Sequence, residues 1–399
     1  MISNIERLYS IATKRSKMVI GLMSGTSVDG LDVALCNFEG NGLNTKIELL
    51  HFETVPFDAD MKAEIKSVFS KKEVDLEKLT LLNPWIALQH AAIINSLLKK
   101  WNIKNEAIDL IASHGQTIYH APQSLHQQTK FGNATLQIGD GDHLAMATGI
   151  ITVSDFRQKH IAAGGEGAPL AVYGDYLIFG KKGEERILLN IGGIANFTYL
   201  PADMDAAKIF STDTGPGNTI MDAFIQEHYP GKYFDEHAAK AKAGKVNEAL
   251  LHTLKENDFF TQPFPKTTGP ELFNLTYLKD AQVRSSTEDI SREDVMATLN
   301  KFSADTIVQA IQACPVADAM MIYSSGGGMH NPLLMQHIKS ALPDADFYTT
   351  SELAIHPDAK EAVLFAVLAN ECICGNGDHL VKNIPGMPVV SMGKISLPD

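Results

Sequence analysis

KMVIGLM, residues 17–23, is an apolar run suited to a buried strand. SGTSVDG, 24–30, supplies the small, polar and glycine residues of a turn, and LDVALCNFEG, 31–40, returns as a second strand. TKIELLHFETV, 45–55, extends this into a third strand, so the chain opens on a small antiparallel meander. The same order begins again at Arg186: RILLNIGG reads as strand and turn, IANFTYL as the returning strand, and AAKIFSTD as the third.

Outward from each meander, strands alternate with helices. The first is followed by helical spacing near Ala59 to Ser70 and from about Pro84 to Trp101, with Pro84 placed in a first turn. AIDLIAS, TLQIG and ITVSDF then read as strands. The second meander leads into NTIMDAFIQEH, a helix with Asn218 at its N-cap. Beyond it lie the long helix EDVMATLNKFSADTIVQAIQAC, the strand DAMMIYSS, a helix from Asn331 to Leu342 and a last helix, DAKEAVLFAVLANECI. This alternation predicts an α/β protein with helices packed on its sheets. The duplicated opening predicts two related lobes, 1–155 and 156–399, with the last helix free to pack back on the first lobe and a ligand cleft between them.

The 399 residues are 45% apolar and 20% charged, the composition of a soluble globular enzyme. Acidic residues outnumber basic ones, 47 to 34, for a formal charge of −13, which repels polyanions and argues against a nucleic-acid partner. Any anion has to be held by locally aimed donors. No apolar run approaches the roughly 18 residues of a membrane span, and the first twenty residues lack the apolar core of a signal peptide. Cys36, Cys314, Cys372 and Cys374 match neither a disulfide framework nor a zinc motif. A cytoplasmic location is therefore expected.

Three glycine-rich turns each follow an apolar strand: GLMSGTSVDG at 21–30, Gly192 and Gly193 after LLN, and Gly326, Gly327 and Gly328 after MIYSS. Glycine lets backbone N–H groups converge on a phosphate with no Cβ in the way. Ser24, Thr26 and Ser27 add hydroxyls, and Asp29 is placed to hold magnesium directly or through water. Neither the Walker pattern nor the dinucleotide fingerprint is present, so the nucleotide site is of another kind. DTGPGN, 213–218, lies between a strand and a helix and offers amides and a carboxylate. SHGQT, 113–117, sets His114, Gln116 and Thr117 at a strand end, and SDFR, 154–157, does the same for Asp155 and Arg157, where a structural ion pair is the simpler expectation.

MSGTSVDGLDVAL, ASHGQTIYH, SDFR with AAGGEGAPL, LLNIGGIANFT, DTGPGNTIMD, PKTTG with FN, MATLNKFSADTI, SSGGGMHNPLLM and HPDAKEAVLFAVLA follow one another in an order that resembles the anhydro-N-acetylmuramic acid kinases, members of the actin-like, sugar-kinase and Hsp70-like ATPase superfamily. The resemblance implies two RNase-H-like lobes with mixed sheets and ATP between them. It implies nucleotide contacts at Gly25, Thr26, Ser27, Asp29, Gly30, Asp32, Gly192, Gly193, Asn196, Gly326, Gly327 and Gly328, with Mg2+ at Asp29. The sugar would meet His114, Gln116, Thr117, Arg157, Asp213, Gly215 and Asn218, and Asp155 would be the catalytic base. The implied reaction hydrolyses the 1,6-anhydro bridge of anhydro-N-acetylmuramic acid and phosphorylates its 6-oxygen. A homodimer is plausible on the same likeness. Departures fall at Glu166, His237, Pro270 and the ending VVSMGKISLPD, which leave room for a different amino or anhydro sugar. A nucleotide-dependent interaction protein is the reading from another class.

Overall fold

A computed structural model describes residues 3–25, 28–167, 170–314, 320–353, 355, 357–375 and 388–399. Contacts divide the chain into two units, Met1–Phe179 with Ala354–Asp399, and Gly180–Leu353.

In chain order the first unit begins with helix α1 (Asn4–Thr13), strands β1 (Ser16–Ser24), β2 (Gly30–Glu39) and β3 (Lys46–Pro56), and helices α2 (Ala59–Val68) and α3 (Leu76–Lys100). Strand β4 (Leu110–Ala121), the short α4 (Gln123–His126), β5 (Ala134–Ile138), α5 (Gly141–Thr148), β6 (Thr152–Ser154), α6 (Phe156–Ala162) and α7 (Ala171–Phe179) follow. The second unit holds β7 (Glu185–Ile191), β8 (Ile194–Leu200), β9 (Phe210–Pro216), α8 (Thr219–His228), α9 (Ala239–Ala243), α10 (Glu248–Leu254), α11 (Leu275–Ser285), α12 (Arg292–Gln312), β10 (Met320–Ser325), α13 (Pro332–Ala341) and β11 (Asp346–Thr349). The chain then returns to the first unit with α14 (Lys360–Cys374) and β12 (Lys394–Ser396).

Both meanders form as read, and the sheets built on them share one plan. The first runs β12-β6-β4-β1-β2-β3 with β5 on the far half of β4; the second runs β11-β10-β7-β8-β9. In each, the first meander strand pairs antiparallel with its hairpin partner on one side and parallel with a later strand on the other. The third meander strand lies at an edge, and β3 accordingly alternates between exposed and half-buried positions, whereas β1 is buried on both faces. Ile20 and Leu22 of β1 pack with Ile86, Ala91 and Ile94 of α3. The opposite face meets α14 so closely that a Cβ on Gly21 would stand 1.9 Å from the Ala362 carbonyl oxygen. In the second unit Ile187, Leu189 and Ile191 of β7 pack with Ile307 and Ile311 of α12 and Leu334 and Ile338 of α13.

Helix α3 differs from the sequence reading. It starts at Leu76, with Asp75 accepting from the Lys78 N–H as N-cap, and runs through Pro84 instead of beginning there. A proline inside a helix removes one backbone donor and crowds the preceding turn. Here Asn83, just before it, is engaged outside the helix: its side chain accepts from the Gly139 N–H at 2.9 Å and its carbonyl from the Asp140 N–H at 3.3 Å. The interior proline thus coincides with the point where α3 grips the loop leading into α5. Asn218 does precede α8, but its side chain makes no capping bond.

Candidate active site

The first glycine turn joins β1 to β2. Gly30 is obligatory on steric grounds, since a Cβ there would lie 2.5 Å from the Val55 carbonyl oxygen. Gln116, from the middle of β4, ties the turn down: its Oε1 accepts from the Ser24 hydroxyl at 2.5 Å and its Nε2 donates to the Gly25 carbonyl at 3.3 Å. Thr26 and Ser27 lie outside the described residues. Thr117 sits beside this pair and accepts from Gln137 Nε2 at 3.2 Å.

Asp32, on the returning strand, accepts from the Thr54 hydroxyl. Burial, and then the nearby carboxylates of Asp358 and Asp29, outweigh that bond and push its carboxyl above the usual carboxylate range. Glu361, at the start of α14, is raised mainly by burial while Lys360 and Arg157 pull it back, and it also feels the charge of Asp32. The turn is thus an acidic, half-dry end of the sheet. Its hard oxygen donors suit Mg2+, but no three acidic or imidazole groups among the described residues converge as a closed metal site. Such a sparse donor set fits an ion that keeps most of its waters and shares phosphate oxygens.

Arg157 is held by neighbours other than Asp155. Its Nε donates to His114 Nε2 at 3.0 Å and its Nη1 to the Gly167 carbonyl at 2.7 Å. His114 Nδ1 lies 2.9 Å from the Gly115 carbonyl, so the ring is neutral, donating through Nδ1 and accepting through Nε2. Burial, then the Arg157 charge, lower its pKa to about 3, and burial lowers that of His90, on the same unit, to about 4. Both imidazoles stay neutral in the fold while the unfolded chain binds protons below about pH 6.5, so stability is lost as pH falls below that value. From pH 6.5 to about pH 5 each histidine should cost roughly 2 kcal/mol, at ~1.4 kcal/mol per unit. Denaturant unfolding near pH 7 and pH 5 reads this directly, and His90→Gln should shrink the difference.

Asp155 follows β6 and precedes α6 in a left-handed conformation, φ 56° and ψ 43°, that L residues seldom adopt. Its carboxylate forms an ion pair with Lys394 of β12, which corrects the expected pairing with Arg157. The reason is topological: β12 lies antiparallel to β6 with Lys394 opposite Ser154, so the last residues of the chain reach Asp155 first. Asp155 and Lys394 line a cavity of about 220 Å³ with Ser113, His114, Gln137, Asp140 and Asp142. Ser113 Oγ and Gln137 Oε1 are buried there without a hydrogen-bond partner among the described residues. Unsatisfied buried oxygens in a polar recess are what a hydroxyl-rich ligand can satisfy.

In the second unit two of the three remaining turns interlock. The Gly193 carbonyl accepts from the Gly217 and Thr219 N–H groups and the Gly192 carbonyl from the Asn218 N–H, at 2.8–3.0 Å. A Cβ on Gly217 would come within 2.3 Å of Gly192 O. Gly326, at φ +82°, would place a Cβ 2.6 Å from Asn190 Oδ1, and Gly328 would strike Ile191. Gly327 alone of that triplet faces open space, with Asn218 Nδ2 nearest at 4.0 Å. Asn218 and Gly327 line a cavity of about 340 Å³ with Met221, Asp222, Phe234, His237 and Asn331. Burial raises the Asp222 carboxyl to about 6. His237 stands at φ 55°, so the departure noted at this position places an imidazole where glycine carries no strain.

Asn196 is paired in the sheet, opposite Asn190 on β7 and Asp213 on β9. Asp213 accepts from the Thr268 N–H at 2.8 Å, yet burial and the Glu271 charge raise its carboxyl. Gly215, at φ +135°, faces Phe260 and Thr306. The structure therefore assembles Gly25, Asp29, Gly30, Asp32, Gln116 and Thr117 at one sheet end of the first unit. It adds His114 from inside β4, which continues through SHGQT to Ala121 and so corrects the expected strand end there, and Asp155 and Arg157 just past the end of β6. Gly192, Gly193, Asn218 and Gly327 gather in the second unit. Sequence reasoning missed Asn83, Ser113, Asp140, Asp222, Glu361 and Lys394. The alternating GDGD, 139–142, was an available sign of a tight capped turn, with Asp140 accepting from the Asp142 and His143 N–H groups; Lys394 had no local signal.

Two units of one topology, each carrying glycine turns at the strand ends, define a duplicated α/β protein. The Anhydro-N-acetylmuramic acid kinase family model matches residues 17–393. The chain is 58% identical, over the whole of both chains, to the anhydro-N-acetylmuramic acid kinase of Pseudoalteromonas atlantica. It is 55% identical to that of Pseudoalteromonas translucida, with 99% of each chain covered, and 39% identical to that of Caldanaerobacter subterraneus subsp. tengcongensis, with 98% of this chain and all of the other covered. The chain belongs to the anhydro-N-acetylmuramic acid kinase family. No helix among the described residues is long and apolar enough to cross a membrane.

Proposed function

We infer that this chain is an ATP-dependent kinase that opens the 1,6-anhydro bridge of 1,6-anhydro-N-acetylmuramic acid and phosphorylates it to N-acetylmuramic acid 6-phosphate, in the recovery of cell-wall sugar. The observation that carries the chemistry is Asp155 in the lining of the polar cavity with Ser113, Gln137 and Asp140, within a chain that matches the family along almost its full length. Water attacks the anomeric carbon and loses its proton to Asp155. The bond from that carbon to the bridging oxygen breaks, and the bridging oxygen, now carrying the electron pair, bonds to the γ-phosphorus of ATP as ADP leaves.

The first glycine turn, fixed by Gln116, would present its amides to the phosphates, with Asp29 and Asp32 as the oxygen donors for Mg2+. Magnesium, when bound, neutralises charge developing on the transferred phosphoryl group. Asn218, Gly327 and Asp222, whose carboxyl is raised by burial, would take the nucleoside end of ATP, which moves Asn218 from a sugar contact to a nucleotide contact. His114, held neutral, orients Arg157, whose charge is offset by Glu361; this group would meet the sugar's carboxylate or the γ-phosphate. Four free cysteines and the use of ATP favour the cytoplasm. ADP release measured with ATP plus anhydro-N-acetylmuramic acid tests the reading. Release should depend on the sugar, and an equal rate without it would overturn the assignment.

A further inference from the structure

Lys394 and the first helix both lie outside the residues that match the family model, and they lie on one structural path to Asp155. An aspartate preceding a helix ordinarily turns its carboxylate back onto the first free amides of that helix. Asp155 holds that position for α6, yet its side chain makes no capping bond; its left-handed backbone and the ion pair with Lys394 leave the carboxylate on the cavity instead. Lys394 is largely exposed, so the pair adds little to stability. Its consequence is orientation.

The strand that carries Lys394 is short. Residues Lys394–Ser396 make three ladder pairs with β6, too few to fix a chain end without help. Help comes from α1. The Asn4 side chain donates to the Pro398 carbonyl, just past β12, and Arg7 Nη1 donates at 3.1 Å to the carbonyl of Gly149, just ahead of β6. One helix thereby holds both strands of the β6–β12 pair. It is itself secured by the Ser3–Glu6 capping box and by Ile11, which is 4% exposed.

We propose that Lys394 is a positioning residue for the base Asp155, and that α1 acts as the latch holding the strand that presents it. This rests on Asp155 being the base. Lys394→Met should lower kcat by about 10- to 100-fold, the scale expected when a reacting group is misplaced by about 1 Å, with KM for ATP unchanged within about two-fold. Lys394→Arg should restore most of the rate. In single-turnover ADP formation, Lys394→Met should add nothing to the loss already caused by Asp155→Asn, because a residue acting through another is silent once that other is gone. Removal of residues 1–13, or Asn4→Ala with Arg7→Ala where the truncated chain fails to fold, should lower kcat in the same way and have no effect in the Lys394→Met background. Full activity of Lys394→Met, or losses that multiply in the double variant, would overturn the proposal. Near-full activity of Asp155→Asn would overturn the underlying assignment of the base.

Discussion

Asp155→Asn should lower kcat by about 10²- to 10⁴-fold, the usual contribution of a general base, while ATP binding stays within a few-fold of the parent. The amide keeps the size of the carboxylate and still fits beside Lys394, but it has no charge with which to accept the proton of the attacking water. Bridge opening and phosphoryl transfer are coupled through the departing oxygen, so loss of the base slows both, and no slow sugar-independent route should appear. The nucleotide should be spared, because the residues assigned to its phosphates and nucleoside, Gly25, Gly192, Asn218 and Gly327, make no hydrogen bond to Asp155 among the described residues. Equilibrium binding of a non-hydrolysable ATP analogue beside steady-state ADP release separates the two effects. A variant that loses binding and turnover together would point to a structural role for Asp155.

The second large effect divides neighbouring glycines. Gly326→Ala imposes a Cβ on a residue at φ +82° and drives it to 2.6–2.7 Å from Asn190 Oδ1 and the Ile191 carbonyl. The left-handed conformation costs roughly 1–2 kcal/mol and the overpacking about 1–3 kcal/mol more, enough to lower the thermal midpoint by many degrees. Gly327→Ala meets nothing closer than 4.0 Å and its φ lies outside the left-handed region. Its midpoint should stay near the parent's while KM for ATP rises, because the added methyl projects toward the cavity shared with Asn218 and Asp222. Thermal melts with and without ATP analogue distinguish a glycine required by the fold from one required by the ligand. The assignment of this cavity fails if Gly327→Ala binds nucleotide as tightly as the parent.

Much of this molecule was already written in local pattern. Apolar strands punctuated by glycine turns fixed both meanders, and the repeat of that order from Arg186 anticipated two sheets of one plan. Those features depend on nearest-neighbour chemistry: strand runs bury both faces, and glycine alone tolerates the approach of a second backbone, as Gly21 does against Ala362 and Gly217 against Gly192. The ordered motifs likewise marked out the family to which the chain belongs, and offered Asp155 and Gln116 as candidates for its site. Folding alone settled which side chains meet. Lys394 lies 239 positions from Asp155 and reaches it through an antiparallel pairing that no local pattern announces. Arg157, two residues from Asp155, turns instead to His114 on a parallel strand. Pro84, which suits a helix start, lies inside α3 because Asp75 caps the helix earlier and the tertiary contacts of Asn83 accommodate the break. Burial did the rest, keeping His114 neutral and raising Asp32, Glu361 and Asp222, because desolvation is a property of the packed neighbourhood that residue identity alone leaves open.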